Sequence, residues 1–104
     1  MPAYLIATYD IHDHETYAKY NPGNMDTITR VLARHHGKVL AVGVENEWMG
    51  DATRDALVIL EFPTREAALA WHEDPDYLPA RQFRLASTQN VLACVVDGFV
   101  PPGA

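Results

Sequence analysis

Cysteine is almost absent from this sequence of 104 residues, since Cys94 is the only one. A single cysteine cannot form an intrachain disulfide, and chains without disulfides are typical of reducing compartments. The apolar stretch near the N-terminus has no basic region and is too short for a signal peptide, and no apolar run reaches the ~18 residues of a membrane span. We therefore expect a cytoplasmic protein with no membrane partner.

Basic residues are also few. Eight Lys and Arg stand against fourteen Asp and Glu, which gives a formal net charge of −6. A nucleic-acid surface needs a positive field to meet phosphates, so this balance argues against a nucleic-acid partner. The sequence also lacks a serine nucleophile elbow, a glycine-rich phosphate loop and a dinucleotide fingerprint, so we expect no bound cofactor.

What the sequence does contain is the composition of a folded domain, with 48% hydrophobic and 21% charged residues. The length suits one domain and leaves little room for a second. The end of the chain, Pro101-Pro102-Gly103, cannot join a helix or a ladder of strands. We predict a single domain over residues 1–98 and a flexible tail over residues 99–104.

Runs of β-branched and aromatic residues predict four strands, over residues 3–10, 38–44, 56–62 and 88–97. The polar stretch between the second and third strands predicts a hairpin connection.

Helix signals fill the two remaining gaps. The first helix is predicted to begin at the N-cap Asp13, to break at Asn21-Pro22-Gly23 and to resume near Met25. We expect Gly37 at the C′ position that ends it. The second helix is predicted to begin at the cap Thr64 and to end at Asp74-Pro75.

Residues 75–87 are expected to be irregular or to form one helical turn. The order βαββαβ indicates an α+β, ferredoxin-like fold, in which two helices cover one face of a four-stranded antiparallel sheet.

The strands are apolar on both faces, most clearly over residues 57–60 and 91–96. A sheet with one wet face shows alternation of apolar and polar residues, whereas continuous apolar runs indicate burial on both sides. Two helices cover only one face, so we predict that the other face packs against the sheet of a second copy in a homodimer.

The sequence resembles the domain-of-unknown-function family 1330 over most of its length. The resemblance rests on the order and spacing of short motifs: Tyr17-Ala18-Lys19-Tyr20, residues 36–40 (HGKVL), residues 60–64 (LEFPT), Ala67-Ala68 with Ala70-Trp71, Pro75-Asp76-Tyr77, Arg84, and Val96-Asp97-Gly98. The chain departs from the family pattern at His36, where Gly is common, at His72, where an aromatic residue is usual, and at Asp74, where Ser is common.

The resemblance implies membership of the dimeric α/β-barrel superfamily, in which two ferredoxin-like protomers pack sheet to sheet. Relatives in that superfamily include cofactor-free monooxygenases, muconolactone-type isomerases, polyketide cyclases and heme-handling proteins. Because one scaffold hosts many activities, the resemblance implies the fold more firmly than any reaction.

Glu61 is the first candidate for chemistry, because it interrupts an otherwise apolar strand. A carboxylate there needs a cation or hydrogen-bond donors, and it could serve as a general acid or base. Arg81 and Arg84 are the expected partners, if the segment after Tyr77 folds back over the strand. The alternative is an ion pair that only ties this segment to the sheet.

Aromatic residues supply the other candidates. Tyr17 and Tyr20 lie three apart and share a helix face, where their hydroxyls could bind a ligand or simply finish the core. Trp71 and Tyr77 could line a ligand site or pack the core in the same way. Trp48 lies in the polar connection, and the sequence leaves open whether it packs across a dimer or rims a pocket.

The histidines do not predict a metal site. Asp10, His12 and His14 are close together, but their spacing matches no zinc signature and no cysteine set accompanies them. His12 remains a candidate acid or base, since histidine titrates near neutral pH. Cys94 is expected to be a small buried hydrophobe and not a nucleophile.

Two kinds of function remain open. The first is a small-molecule enzyme without a cofactor, such as an isomerase, cyclase or monooxygenase, acting on a small apolar or aromatic substrate. Its base would be Glu61 or His12, and Tyr17, Tyr20, Trp71, Tyr77, Arg81 and Arg84 would bind the substrate. The second is a non-catalytic module, either ligand-binding or purely structural. The site is predicted between the helices and the sheet.

Overall fold

The computed structural model describes residues 1–103 and contains four strands and four helices. In chain order they are β1 (Ala3–Ile11), α1 (His14–Tyr20), α2 (Met25–Arg34), β2 (Lys38–Gly43), β3 (Ala56–Phe62), α3 (Arg65–His72), α4 (Leu78–Ser87) and β4 (Thr88–Asp97). The strands form one antiparallel sheet in the order β2-β3-β1-β4, which confirms the α+β prediction.

Two helix starts follow the caps that the sequence predicts. The Asp13 carboxylate accepts a hydrogen bond from the Thr16 backbone N–H at the start of α1. The Thr64 hydroxyl accepts one from the Ala67 N–H at the start of α3. Each cap satisfies a backbone donor that the first helical turn would otherwise leave unpaired.

The predicted break divides the first helix into α1 and α2. Gly23 lies at this break, where a Cβ atom would come within 2.7 Å of the carbonyl oxygens of Ala18 and Lys19. Only glycine allows the chain to pass this close to the end of α1. The break therefore turns α2 away from α1, and the side chains of the two helices reach different parts of the sheet.

The end of α2 corrects one detail of the prediction. His36, not Gly37, takes the left-handed conformation, with φ of 59°. The His36 N–H bonds to the Ala33 carbonyl and the Gly37 N–H to the Leu32 carbonyl, which is the Schellman pattern. Gly37 is needed for space instead, because a Cβ there would meet Leu32 and Phe62 side-chain atoms at 2.6 Å.

The largest correction concerns residues 75–87, which contain the helix α4 and not an irregular segment. All four helices lie on the one side of the sheet that the prediction assigned to helices, with the first predicted helix divided at its break and α4 added. Pro79 does not interrupt α4, because it lies in the first turn, where no intrahelical N–H bond is lost. The helix packs against α1, which it could not do as a single turn.

The core lies between the helices and the two central strands. Ala3, Ala7 and Tyr9 of β1 are buried and alternate with half-buried residues. The main buried cluster combines residues from β3 and from three helices: Ile28, Val31, Leu32, Leu60, Phe62, Ala68, Trp71, Tyr77 and Ala80. Burial of this much apolar surface is the main force holding the helices on the sheet.

We call the other side of the sheet the reverse face. On this face Ile6 of the central strand β1 pairs with Ile59 and Cys94, and Thr8 pairs with Leu57 and Leu92. No element among residues 1–103 covers this face, and Leu92 is 70% exposed. Cys94 is exposed here, so the expectation that the protomer buries it is wrong.

The sheet is open, with β2 and β4 as its edges. Most residues of both edge strands are exposed, so the helices cover the central strands far better than the edges. Residues 98–103 follow β4 without a helix or strand, and Ala104 of the predicted tail lies outside the described residues.

Candidate functional site

A cleft of about 440 Å³ lies between the helices and the sheet. Its walls come from all four strands and all four helices, and most of its lining is apolar. The polar residues in the lining are Tyr9, Tyr17, Tyr20, Asn21, Arg65, His72, Tyr77 and Arg84. A mainly apolar cavity with a few converging polar groups is the usual form of a small-molecule site.

Two pairs of tyrosine hydroxyls lie in this cleft. The Tyr9 and Tyr17 oxygens are 2.7 Å apart, and the Tyr20 and Tyr77 oxygens are 2.8 Å apart. Burial, followed by the neighbouring tyrosine hydroxyl, raises the pKa of both Tyr9 and Tyr20. These two phenols therefore stay protonated at neutral pH and act as hydrogen-bond donors or acceptors, not as bases.

Trp71 and Tyr77 form one wall of the cleft. Their rings are stacked with centroids 4.3 Å apart, and the Phe62 ring lies 5.9 Å from the Trp71 ring in a tilted arrangement. Trp71 is only 4% exposed, yet its Nε1–H has no hydrogen-bond partner among residues 1–103. An unpaired buried donor costs free energy, which a ligand acceptor in the cleft could recover.

Arg84 brings a positive charge into the cleft. Arg84 lies on α4, two turns after Tyr77, which is the N-cap residue of that helix. The Arg84 side chain is half-buried. Burial lowers the pKa of its guanidinium, but the nearby Tyr77 and Tyr20 phenols outweigh this, so the pKa is raised. The guanidinium stays cationic at neutral pH.

His72 lines the cleft beside Trp71 and was not predicted as a site residue. The His72 Nδ1 lies 3.1 Å from the Arg81 guanidinium, which donates, and 3.2 Å from the Glu73 carboxylate, which accepts. Burial lowers the pKa of His72, so the ring is neutral at pH 7. The sequence spacing could have indicated this position, because His72 follows the buried Ala68 by one helical turn and so shares its helix face.

Arg81 itself does not line the cleft. Its guanidinium donates to the Glu73 carboxylate at 3.1 Å and to the His72 carbonyl at 2.9 Å. These bonds tie the start of α4 to the end of α3. Arg81 therefore acts on the cleft through His72 and not by reaching into it.

Glu61 lies outside the cleft, contrary to the expected position of a base. Leu60 and Phe62 face the helices, so Glu61 points to the opposite side of β3, since residues alternate along a strand. Its partner is Lys38 of the neighbouring strand at 3.3 Å, and the expected pairing with Arg81 or Arg84 is wrong. The pair joins β2 to β3 at one end of the sheet.

His12, the other candidate base, is exposed just after β1 and does not line the cleft. His14 begins α1, and Trp48 is half-buried in the connection between β2 and β3, away from the cleft. Within residues 1–103, no three His, Cys, Asp or Glu side chains are grouped so that they could hold a metal ion.

The structure thus brings Tyr17, Tyr20, Trp71, Tyr77 and Arg84 together in one cleft and leaves Glu61, His12 and Arg81 outside its lining. No helix within residues 1–103 has the length and apolar character needed to cross a bilayer.

The fold is similar to several solved structures. RPA0582, a protein of unknown function from Rhodopseudomonas palustris, has a TM-score of 0.75 at 23% identity, over 96% of this chain and 84% of that one. A dimeric ferredoxin-like protein of unknown function from Jannaschia sp. CCS1 has a TM-score of 0.73 at 12% identity, over 94% and 100% of the two chains.

A third similar structure is SnoaB, a cofactor-independent oxygenase from Streptomyces nogalater. Its TM-score is 0.65 at 13% identity, over 99% of this chain and 98% of SnoaB. At such low identities the likeness establishes the ferredoxin-like fold, and a shared fold does not carry an activity with it.

Comparison with curated proteins finds no match. The family described as a domain of unknown function, DUF1330, matches residues 2–99. The match spans nearly the whole chain and confirms the resemblance that the sequence motifs indicated. The chain belongs to the DUF1330 family.

Proposed function

We propose that the protein binds a small apolar or aromatic molecule in the cleft between its helices and its sheet. The observation that carries this proposal is the cleft itself: about 440 Å³ stay open beside a closely packed core. A purely structural domain has no reason to keep such a space, since interiors normally pack to the density of organic crystals. The residues that line it run from Leu5 to Val95, so residues 1–98 form the ligand-binding domain.

The stacked rings of Trp71 and Tyr77 provide a flat wall against which an aromatic ligand can pack. The hydroxyls of Tyr17 and Tyr20 and the guanidinium of Arg84 provide the polar contacts that would orient it. Arg81 serves as a positioning residue, because it holds His72 at the edge of this wall.

The protomer is proposed to act as a homodimer in which the reverse faces of two sheets pack together. The support is the bare apolar surface around Ile6, Ile59 and Leu92, together with structural relatives that are described as dimeric. A monomer seldom leaves a contiguous apolar patch of this kind in water. The dimer would cover Cys94, and its free thiol suits a reducing, cytoplasmic setting.

Catalysis in the same cleft is the second candidate. The observation that favours catalysis is a group of hydrogen-bond donors in a mainly apolar cavity. Such donors can stabilise an oxyanion, which a purely apolar pocket cannot do. A cofactor-independent oxygenase has a similar fold, so the fold is compatible with this class of reaction, and an isomerase or cyclase would need similar groups.

Ligand binding can be tested by NMR on the ¹⁵N-labelled protein with nitrobenzene as the probe. We expect nitrobenzene to shift the indole N–H signal of Trp71 and the backbone amide signals of Val58 and Ala68, all of which belong to lining residues. The Trp48→Phe variant identifies the Trp71 signal, because the chain has two tryptophans.

The matched variants are Val58→Phe, which places a ring in the cleft, and Ala33→Phe, which adds the same ring on the exposed side of α2. Only Val58→Phe should remove the shifts. Shifts confined to the reverse face, or none in either protein, would contradict the proposed function. Oxygen uptake with 1-naphthol, present in the wild type and lost in Val58→Phe, would support catalysis in the cleft.

A further inference from the structure

The arginines of this protein differ in what surrounds them. Arg34 pairs with Asp74 and Asp76, Arg65 with Asp97, and Arg81 with Glu73. Arg84, like Arg30 and Arg54, takes part in no ion pair among residues 1–103, but of these three only Arg84 lines the cleft. A half-buried cation without a counter-charge is costly, so its position needs a reason.

The cleft contains no acidic residue that could supply the counter-charge. None of its lining residues is Asp or Glu, while two are Arg, and the second of these, Arg65, is neutralised by Asp97 at 2.8 Å. The unbalanced charge in the cleft is therefore the single positive charge of Arg84.

The neutral groups around Arg84 are also mainly donors. Each pair of tyrosine hydroxyls has two protons and uses one for its internal bond, so one O–H per pair stays free to donate. The Trp71 Nε1–H is unpartnered as well. A surplus of donors beside a cation matches an oxygen that bears a negative charge.

We propose that the ligand of this cleft carries one anionic oxygen, as a carboxylate or a phenolate on a small aromatic or apolar body, and that Arg84 binds this oxygen. This inference rests on the proposed ligand-binding function and deepens it by naming the substrate class. The apolar walls bind the body, while Arg84 and a free tyrosine O–H bind the charged end. A cationic ligand would meet Arg84 with like charge and is excluded.

Three probes of similar size separate the contributions. Nitrobenzene is the uncharged reference, 4-nitrobenzoate adds a carboxylate to it, and 4-nitrophenol adds an oxygen whose ionisation is visible in its absorption spectrum. We expect bound 4-nitrophenol to ionise at lower pH than it does in free solution, because Arg84 stabilises the phenolate. This measurement uses the wild-type protein and does not depend on any variant.

The variants are Arg84→Met, which removes the charge and keeps much of the side-chain length, and Arg84→Lys, which keeps the charge. Arg30→Met is the matched control, since Arg30 is exposed on α2 and does not line the cleft. Arg84→Met should weaken binding of at least one anionic probe by roughly tenfold or more and leave nitrobenzene within about twofold. Arg84→Lys should recover part of the loss.

The outcomes distinguish the two claims. If nitrobenzene binds the cleft and neither anionic probe depends on Arg84, the inference is overturned while the proposed function stands. If no probe binds, the proposed function fails and the inference with it. Dependence on Arg84 with 4-nitrobenzoate alone identifies the anion as a carboxylate, and dependence with 4-nitrophenol alone identifies it as a phenolate.

Discussion

Single residues in this protein carry strain where a turn requires it. His36 adopts a left-handed conformation with φ of 59°. This conformation is strained for residues that have a Cβ, because the Cβ comes too close to the following carbonyl oxygen. His36 lies at the C′ position of α2, where helices most often use glycine, and glycine is common there in the family that the sequence resembles. The turn still forms, because the Schellman bonds and the contact of Gly37 with Leu32 and Phe62 hold it in place.

Replacing His36 by glycine should therefore stabilise the protein. We expect His36→Gly to raise the free energy of unfolding by about 1 kcal/mol. This net gain is the backbone strain that glycine relieves, less the stability lost because glycine is more flexible in the unfolded chain. Urea denaturation followed by circular dichroism measures this. His36→Ala is the control, since alanine keeps the Cβ and should gain little; equal effects of the two variants would rule out backbone strain as the cause.

At the scale of elements, Asp74 connects three helices. It follows α3, and its carboxylate contacts the His35 ring at 2.7 Å and the Arg34 guanidinium at 3.1 Å at the end of α2. It also accepts the Asp76 backbone N–H at 2.9 Å in the turn that leads to α4. These bonds hold the pKa of Asp74 below its usual value, and the bond to His35 has the largest effect, followed by that from the Asp76 N–H. The carboxylate thus fixes the turn that aims α4, and with it Arg84, at the cleft.

The low pKa of Asp74 makes part of the stability dependent on pH. A carboxyl group whose pKa is lower in the folded than in the unfolded state stabilises the fold above the unfolded value of about 3.9, and this contribution is lost as pH falls through the folded pKa. Asp74→Asn should lower the Tm at pH 7 by roughly 5 °C. Below pH 4 the difference from the wild type should shrink.

Asp76→Asn is the companion measurement, since Asp76 also pairs with Arg34, at 2.9 Å, but its side chain is 59% exposed. Exposed ion pairs contribute little, so its Tm should change far less. Thermal unfolding of both variants from pH 3 to pH 8 checks this. A constant gap between Asp74→Asn and the wild type over that range would contradict the assignment.

At the scale of the whole molecule, the sheet has two different sides. The helices and the cleft occupy one side, and the reverse face is bare and apolar around Ile6, Ile59 and Leu92. The Glu61–Lys38 pair lies on this face at one end of β2 and β3, so it would sit near the proposed dimer contact and not in the ligand site. The apolar area is the driving force expected for association.

A charge on the reverse face should therefore dissociate the dimer. Leu92→Lys places an ammonium group where two sheets would meet, and desolvating it without a partner is unfavourable. Sedimentation velocity at micromolar concentration should show a dimer for the wild type and a monomer for Leu92→Lys.

Leu85→Lys provides the comparison, because Leu85 is also an exposed leucine but lies on α4. This variant should remain dimeric. A wild-type protein that sediments as a monomer would refute the proposed assembly, while the cleft and its test would remain unaffected.

Local features of the chain were sufficient to predict much of this structure. Strand residues, the caps Asp13 and Thr64 and the break before Met25 depend on neighbours a few positions away, and the structure confirms each of them. The helix α4 was missed although its signal is local, since Pro79 lies in the first turn, where proline is compatible with a helix.

Tertiary structure alone decided which residues meet in the cleft. With apolar residues on both faces of β3, alternation shows that Glu61 lies opposite Leu60 but cannot tell which of them faces the helices. Tyr9, Tyr20, Tyr77 and Arg84 come from a strand and two helices distant in sequence, and only the packing of α4 beside α1 brings them together. The sequence by itself determined the elements and the apolar character of both sheet faces, because these depend on local pattern. The position of the charge in the cleft depends on long-range packing, which no local pattern encodes.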